Sequence, residues 1–168
     1  LNNLAVLYDR IGNYARVEPL YRRSLAIWEK ALGPEHPEVA TALSNLGLFY
    51  STTGDYERAL SLYERSLAIR EKALGPMHPG VATCVDELAG LHKTAGSHTR
   101  AGPLAKRSWA MRGKELGSKH PAVANSLNNL ESIYMAMGNY TRAERFLEKT
   151  RANVERLLNR TQGAELRA

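Results

Sequence analysis

The sequence predicts an all-α solenoid of four helix-turn-helix units, about eight helices, and three observations carry that prediction. First, Leu32-Gly33-Pro34-Glu35-His36-Pro37 returns as Leu74-Gly75-Pro76-Met77-His78-Pro79 and again as Leu116-Gly117-Ser118-Lys119-His120-Pro121, 42 residues later each time. Second, other columns keep the same step: Leu1-Asn2-Asn3-Leu4 aligns with Leu43-Ser44-Asn45-Leu46, Val85-Asp86-Glu87-Leu88 and Leu127-Asn128-Asn129-Leu130, and Gly12, Gly54, Gly96 and Gly138 share a column. Third, each unit holds two stretches with apolar residues at spacings of three and four, divided by a glycine. A lone helical hairpin cannot bury its own apolar faces, so repeated hairpins must stack.

The units fall at about 1–37, 38–79, 80–121 and 122–158, a single array, with 159–168 left as a tail or the stub of a capping helix. The chain opens at Leu1, part-way through a repeat, as a segment trimmed from a larger protein would. In the second unit His36-Pro37 marks a helix start, because proline is tolerated in a first turn where its missing N–H is not needed. A first helix from about Glu38 to Thr53 then carries Ala40, Leu43, Gly47 and Tyr50 on its apolar face. Gly54-Asp55 breaks it, and a second helix from Tyr56 to Ala73 presents Ala59, Leu60, Tyr63 and Leu67 before Gly75-Pro76 stops it.

Two units carry a proline a little way into the second helix, Pro19 and Pro103, where the others have Ser61 and Arg145. Proline there removes a backbone hydrogen bond and crowds the carbonyl four residues back, so these helices are expected to start late or bend. The last unit closes on Leu158-Asn159-Arg160-Thr161-Gln162-Gly163 in place of the repeated turn. Both ends of the stack are then expected to expose apolar packing faces and to invite end-to-end association.

Composition excludes several classes. With 43% hydrophobic and 24% charged residues the chain reads as globular, not disordered, and no apolar run approaches the roughly 18 residues of a membrane span. Its single cysteine, Cys84, cannot pair internally, which fits an intracellular, cytoplasmic location. The net charge of +6 is uneven: the four units, with the tail counted in the last, carry +1, −1, +4 and +2. Most of the excess comes from Arg100, Lys106, Arg107, Arg112 and Lys114 on the second helix of unit three, with Lys119 in the turn after it. Such a patch raises nucleic acid as a minor alternative; a solvated outer helix face explains it better.

The run LNNLAVLYDRIGNYARVEPLYRRSLAIWEKALGPEHP resembles the tetratricopeptide repeat in its long form, as in kinesin light chains and nephrocystin-3. The family's small and aromatic positions match Ala5, Tyr8, Gly12 and Tyr14, then Gly47, Tyr50, Gly54, Tyr56 and Ala59, then Tyr134, Gly138, Tyr140 and Ala143. The resemblance extends to about Leu158 and implies a right-handed α-solenoid whose first helices line a concave surface that binds protein partners.

Catalytic and metal readings are weaker. The three His-Pro pairs sit one repeat apart, on the order of 10 Å for packed helices, whereas zinc ligands lie within about 2.3 Å of one ion; their recurrence points to a structural role at the start of each first helix. His92 and His98 stand in tyrosine columns and are expected to fill tyrosine space. Cys84 shares its column with Ala42 and Ser126, a small-residue contact, with no base or oxyanion site in view. No glycine-rich phosphate loop is present. The expectation is a protein that is no enzyme and uses no cofactor and no metal.

The candidate binding stripe lies on the first helices, away from their apolar faces. Unit one contributes Asn2, Asn3, Val6, Asp9 and Arg10, and unit two Thr41, Ser44, Asn45, Leu48, Ser51 and Thr52. Unit three adds Thr83, Asp86, Glu87, Gly90, Lys93 and Thr94, and unit four Asn125, Asn128, Asn129, Ser132, Met135 and Ala136. Asparagine is a poor helix former, so its return at Asn3, Asn45 and Asn129 asks for a reason. An amide both donates and accepts, so a ladder of them can hold an extended peptide's backbone; the alternative is that the amides satisfy neighbouring helix ends. Kinesin light chains set groove asparagines against cargo peptides, often acidic ones, but unit three departs with Glu87 in the asparagine column, which argues against an acidic cargo on this stripe. The partner expected is a protein or peptide, not a membrane, with self-association through end repeats as the alternative.

Overall fold

The computed structural model describes residues 1–117 and 120–165, and of residues 150, 153–154 and 156–165 the backbone alone. Among the described residues eight helices follow in order: α1 (Asn2–Arg10), α2 (Tyr14–Leu32), α3 (Pro37–Thr52), α4 (Tyr56–Leu74), α5 (Pro79–Thr94), α6 (His98–Leu116), α7 (Pro121–Ala136) and α8 (Tyr140–Glu165). The described residues contain no strand. The predicted helices of unit two agree with α3 and α4 to within one residue at each end. Helix α8 continues past 158 to Glu165 as one element; residues 166–168, like Ser118 and Lys119, lie outside the described residues.

The repeated sequence signals act as helix punctuation. At the starts of α3, α5 and α7 a histidine caps the helix: His36 Nδ1 accepts from the Glu38 N–H at 3.2 Å, His78 Nδ1 from Gly80 at 3.0 Å, and His120 Nδ1 from Ala122 at 3.2 Å. Each satisfies one of the orphan donors of a helix N-terminus, the structural role expected of the His-Pro pairs. The glycine columns take the left-handed conformation that side chains resist: Gly12, Gly54, Gly96 and Gly138 between paired helices, Gly33, Gly75 and Gly117 between units.

The two prolines correct one expectation. Helices α2 and α6 begin at Tyr14 and His98, in the same column as Tyr56 of α4, and all three are 19 residues long, so neither starts late. Pro19 lacks an N–H for the Ala15 carbonyl, but Pro19, Ala15 and their counterparts Pro103 and Thr99 are all exposed, which leaves that carbonyl to water.

The chain divides into two compact units, Leu1–Leu91 and the remainder from His92. In the first, Val39, Ala40, Leu43 and Ile69 form a buried cluster against which Leu25, Trp28 and Leu62 pack. In the second, Leu127, Leu130 and Ile133 of α7 are buried, with Ala101, Ala105 and Met111 of α6 and Ala143 of α8. Val39, Leu43 and Leu46 share their columns with Val123, Leu127 and Leu130, so the same apolar face recurs 84 residues later. Burying each such side chain contributes about 1.5–3 kcal/mol.

Candidate functional site

In the first unit, the stripe residues Asn3, Val6 and Arg10 of α1 and Thr41, Leu48 and Thr52 of α3 are exposed, and Asn2 and Asn45 are half-buried. Thr41 and Thr52 turn their hydroxyls back to the carbonyls of Pro37 (3.3 Å) and Phe49 (2.8 Å), as helix threonines do when nothing else engages them. Asn3 and Asn45 make no side-chain hydrogen bond among the described residues. The Asn2 Oδ1 is buried and has no partner among them.

Ser44 and Glu87 are placed differently from their neighbours on the stripe. Ser44 is buried, and its hydroxyl meets Ser66 Oγ of α4 at 3.0 Å and donates to Glu87 Oε2 of α5 at 3.3 Å. Ser66 donates to the Ala40 carbonyl at 2.8 Å and approaches Cys84 Sγ at 3.6 Å. The four side chains, Ser44, Ser66 and Cys84 buried and Glu87 half-buried, form one polar cluster joining α3, α4 and α5. Desolvation raises the Glu87 carboxyl above its ordinary range, against the opposing pull of Arg70 and the hydrogen bonds of Ser44 and Cys84. Burial likewise raises the Cys84 thiol, keeping it a poor nucleophile. Asp86, next in sequence, is half-buried.

The sequence reading missed this cluster, although a signal existed. Ser24, Ser66 and Ser108 recur in one column of the second helices, and all three are buried. A buried serine every 42 residues asks for a polar partner, and Ser66 finds three.

In the second unit Asn125, Asn128 and Asn129 are exposed along α7, and their side chains make no hydrogen bond among the described residues. Lys93 and Ser132, both half-buried, come together, with Lys93 Nζ donating to Ser132 Oγ at 3.1 Å. Ser132 in turn donates to the Asn129 carbonyl at 3.1 Å. His92 is buried in its tyrosine column, and the His98 Nδ1 is buried without a partner among the described residues. Those residues hold no group of three or more His, Cys, Asp and Glu side chains able to bind a metal. No described helix is long and apolar enough to cross a membrane.

Comparison with known proteins agrees with this architecture. The family profile described as tetratricopeptide repeat matches residues 1–72, 39–114 and 81–156. A solved kinesin-light-chain-like protein of Podosopora anserina, with nearly identical TPR-like repeats, is 30% identical at a TM-score of 0.82, over 90% of this chain and 72% of that one. BtubC (BKLC) from P. vanneervenii is similar at a TM-score of 0.83 and 24% identity, over 92% of this chain and 61% of that one. The apo form of RapI is similar at 0.77 and 16% identity, over 97% of this chain and 57% of that one. The last two likenesses concern the fold alone, and the chain spans under two thirds of either protein. Among curated proteins no match is found.

Proposed function

The chain belongs to the tetratricopeptide repeat family, and from that premise we propose that it is a non-catalytic protein-binding module whose first helices hold an extended or partly helical peptide of a partner. One observation carries this reading: Asn3 and Asn45 in the first unit, and Asn125, Asn128 and Asn129 in the second, reach the helix surface with amides that bond to no neighbouring helix end. Each costs a helix up to about half a kcal/mol relative to Glu, Lys or Gln. A role within the stack would show as hydrogen bonds, and among the described residues these side chains make none. An amide can donate to and accept from a peptide backbone without selecting its side chains. At about 0.5–1.5 kcal/mol for each contact, several amides and the apolar Val6 and Leu48 together give micromolar binding, about −8 kcal/mol.

Ser44 and Glu87 take part indirectly, by holding α5 against α3 and so fixing the spacing of the surface residues beside them. Peptide-library selection against the wild type and an Asn45→Ala/Asn129→Ala variant tests the assignment. Selected peptides should bind the variant about tenfold more weakly, one to two amide contacts having been lost. Equal binding to both proteins would remove the amides from the site.

A second reading has its own observation. Leu4, Leu7 and Ile11 fall on one side of α1 and are all exposed, an apolar strip that a second copy could cover. Sedimentation over a range of concentrations decides it: self-association that Leu7→Lys abolishes supports assembly through this strip, and a chain that stays monomeric rules it out.

A further inference from the structure

Each compact unit holds a surface cleft between two second helices, and the two clefts are built from the same repeat columns. The first, about 350 Å³, lies among α2, α3 and α4 and includes Arg22, Tyr50 and Arg58; the second, about 300 Å³, lies among α6, α7 and α8 and includes Lys106, Tyr134 and Arg142. Each residue of the second set stands 84 places after its counterpart. The clefts differ in charge, and the difference is systematic.

At the first cleft both lining cations, Arg22 and Arg58, have an anion, and the lining carboxylate Glu29 has a cation, Arg65. Arg22 pairs with Glu18 at 2.8 Å, Arg58 with Asp55 at 3.3 Å, and Arg65 with Glu29 at 2.7 Å. In the second unit the cations are kept as Lys106, Arg142 and Lys149, but the three carboxylates have become Gly102, Asn139 and Gly113. Ser61 has in addition become Arg145, a fourth cation on the cleft wall. Among the described residues none of these four cations is in an ion pair. Lys149 lies instead over the Trp109 ring at 5.0 Å, and Arg142 over the Tyr134 ring at 5.6 Å. Loss of all three anions with retention of every cation leaves a formal +4 lining one small cleft.

We propose that this cleft of the second unit is a docking site for an acidic segment of a partner protein, distinct from the asparagine face of the first helices. The spacing of the cations selects such a segment over a small anion. Arg142, Arg145 and Lys149 follow one another along two turns of α8, about 10 Å, the length of three extended residues, whereas a lone phosphate would reach one end only. Arginine forks suit carboxylates, and the apolar floor of Trp109 and Phe146 suits an aliphatic side chain between them. Single-stranded nucleic acid fits less well, because it needs open ring faces to stack on. Here Tyr134 is stacked on Phe146 and covered by Arg142, and a face of Trp109 is taken by Lys149.

A fluorescein-labelled ten-residue peptide alternating glutamate and leucine is a suitable probe, read by anisotropy on the whole chain. Its glutamine counterpart and a ten-nucleotide oligothymidylate are the comparisons. The acidic peptide should bind, and the glutamine peptide should bind at least about tenfold more weakly, since charge complementarity sets the selectivity. Lys106→Ala/Arg145→Ser should weaken the acidic peptide by about tenfold, for two exposed cations lost from the cleft wall. Gly113→Glu restores the anion that the first cleft has as Glu29, in space where an added Cβ meets nothing, and in a helix where glycine is a poor choice, so the fold is not at risk. It should weaken the peptide by about fivefold.

Arg65→Ala, which removes the partner of Glu29 in the first cleft, should change binding by less than about twofold, as should Asn45→Ala/Asn129→Ala, which keeps this test separate from that of the first-helix face. In a Trp28→Phe background Trp109 is the sole tryptophan, and its emission should respond to the acidic peptide. Equal binding of the glutamine peptide, or no effect of the double variant and of Gly113→Glu, would overturn the proposal. Tighter binding of the oligothymidylate than of the acidic peptide would replace it with a nucleic-acid site.

Discussion

Hairpin α3–α4 of the first unit and hairpin α7–α8 of the second are cut from the same columns, and they show how far a shared period fixes a shared interior. Their apolar faces agree: Leu43, Leu46 and Ala59 are buried, and so are Leu127, Leu130 and Ala143. Their closest crossing does not. At Gly47 a Cβ would stand 3.3 Å from Tyr63 Cε1, so the first helix lies against the tyrosine ring, which is 3% exposed. The same two columns of the second unit hold Glu131 and Leu147, and Leu147 is 55% exposed. Hairpin α1–α2 makes an intermediate choice with Ala5 and Tyr21, both buried. A ring therefore stands only where its partner column is small, but a small residue does not demand a ring: the third repeat has Ala89 and Ala105 in these columns, both buried.

The largest effect should come from forcing one hairpin's residue on the other. Gly47→Glu brings the side chain of column-mate Glu131 into the Tyr63 contact, where it must displace the ring or bury a carboxylate. A loss of about 3 kcal/mol or more is expected, seen as a large fall in the urea midpoint followed by circular dichroism. A loss below about 1 kcal/mol would show that the two helices can separate freely.

Helix caps come next. Asp55 Oδ1 accepts from the Arg58 N–H at 3.2 Å, and Asn139 Oδ1 from the Arg142 N–H at 3.3 Å, so both hairpins start their second helix alike. Asp55→Ala should cost about 1 kcal/mol, whereas Asp55→Asn, the residue of the other hairpin, keeps the cap and should cost a few tenths. Thermal unfolding of the two variants side by side separates the cap from the exposed Arg58–Asp55 pair, which is of little value by itself.

Much of this was legible in the sequence, for a physical reason. A period of 42 residues places every core leucine and every turn glycine several times over, so the helices, their glycine breaks and the His-Pro starts could be read directly. Side-chain partnerships that join different columns could not. Ser44 looked like a surface polar residue between Thr41 and Asn45; it is buried because α4 offers it Ser66 and α5 offers it Glu87. The charge contrast of the two clefts was only partly legible: Glu18–Arg22 and Asp55–Arg58 are local pairs, but Glu29 meets Arg65 from another helix, and only the fold sets Arg22, Arg58 and Glu29 around one cleft. The late start expected of α2 and α6 did not follow, because Ala15 and Thr99, four residues before the prolines, are exposed, which spacing alone does not give.

Rebuilding the close crossing in the second unit should have a smaller effect of the opposite sign. Glu131→Ala/Leu147→Tyr transplants the Ala5–Tyr21 pair of the first hairpin. The double variant is expected to gain up to about 1 kcal/mol, from an aromatic ring moved out of water. Each single change should fall within about half a kcal/mol of zero, so a double-mutant cycle reads the coupling directly.

The smallest effect concerns the column in which Asn45 and Asn129 are amides and Glu87 is an acid, and it shows itself only as a change with pH. Burial raises the Glu87 carboxyl above its ordinary value of 4.5, while Arg70, Ser44 and Cys84 oppose the shift and keep it from growing. The native chain then holds this proton at pH values where the unfolded chain has released it. The unfolded state binds fewer protons in that window, so stability falls as pH rises from about 4.5 through the folded-state value. Glu87→Gln keeps the shape of the protonated acid and removes the titration. Thermal unfolding from pH 4 to 7 should show the wild type losing stability relative to the variant across that window, with the two closest at pH 4. Parallel curves at every pH would mean that the carboxyl is solvated, and that the Ser44–Ser66–Cys84–Glu87 cluster is open to water in the folded chain.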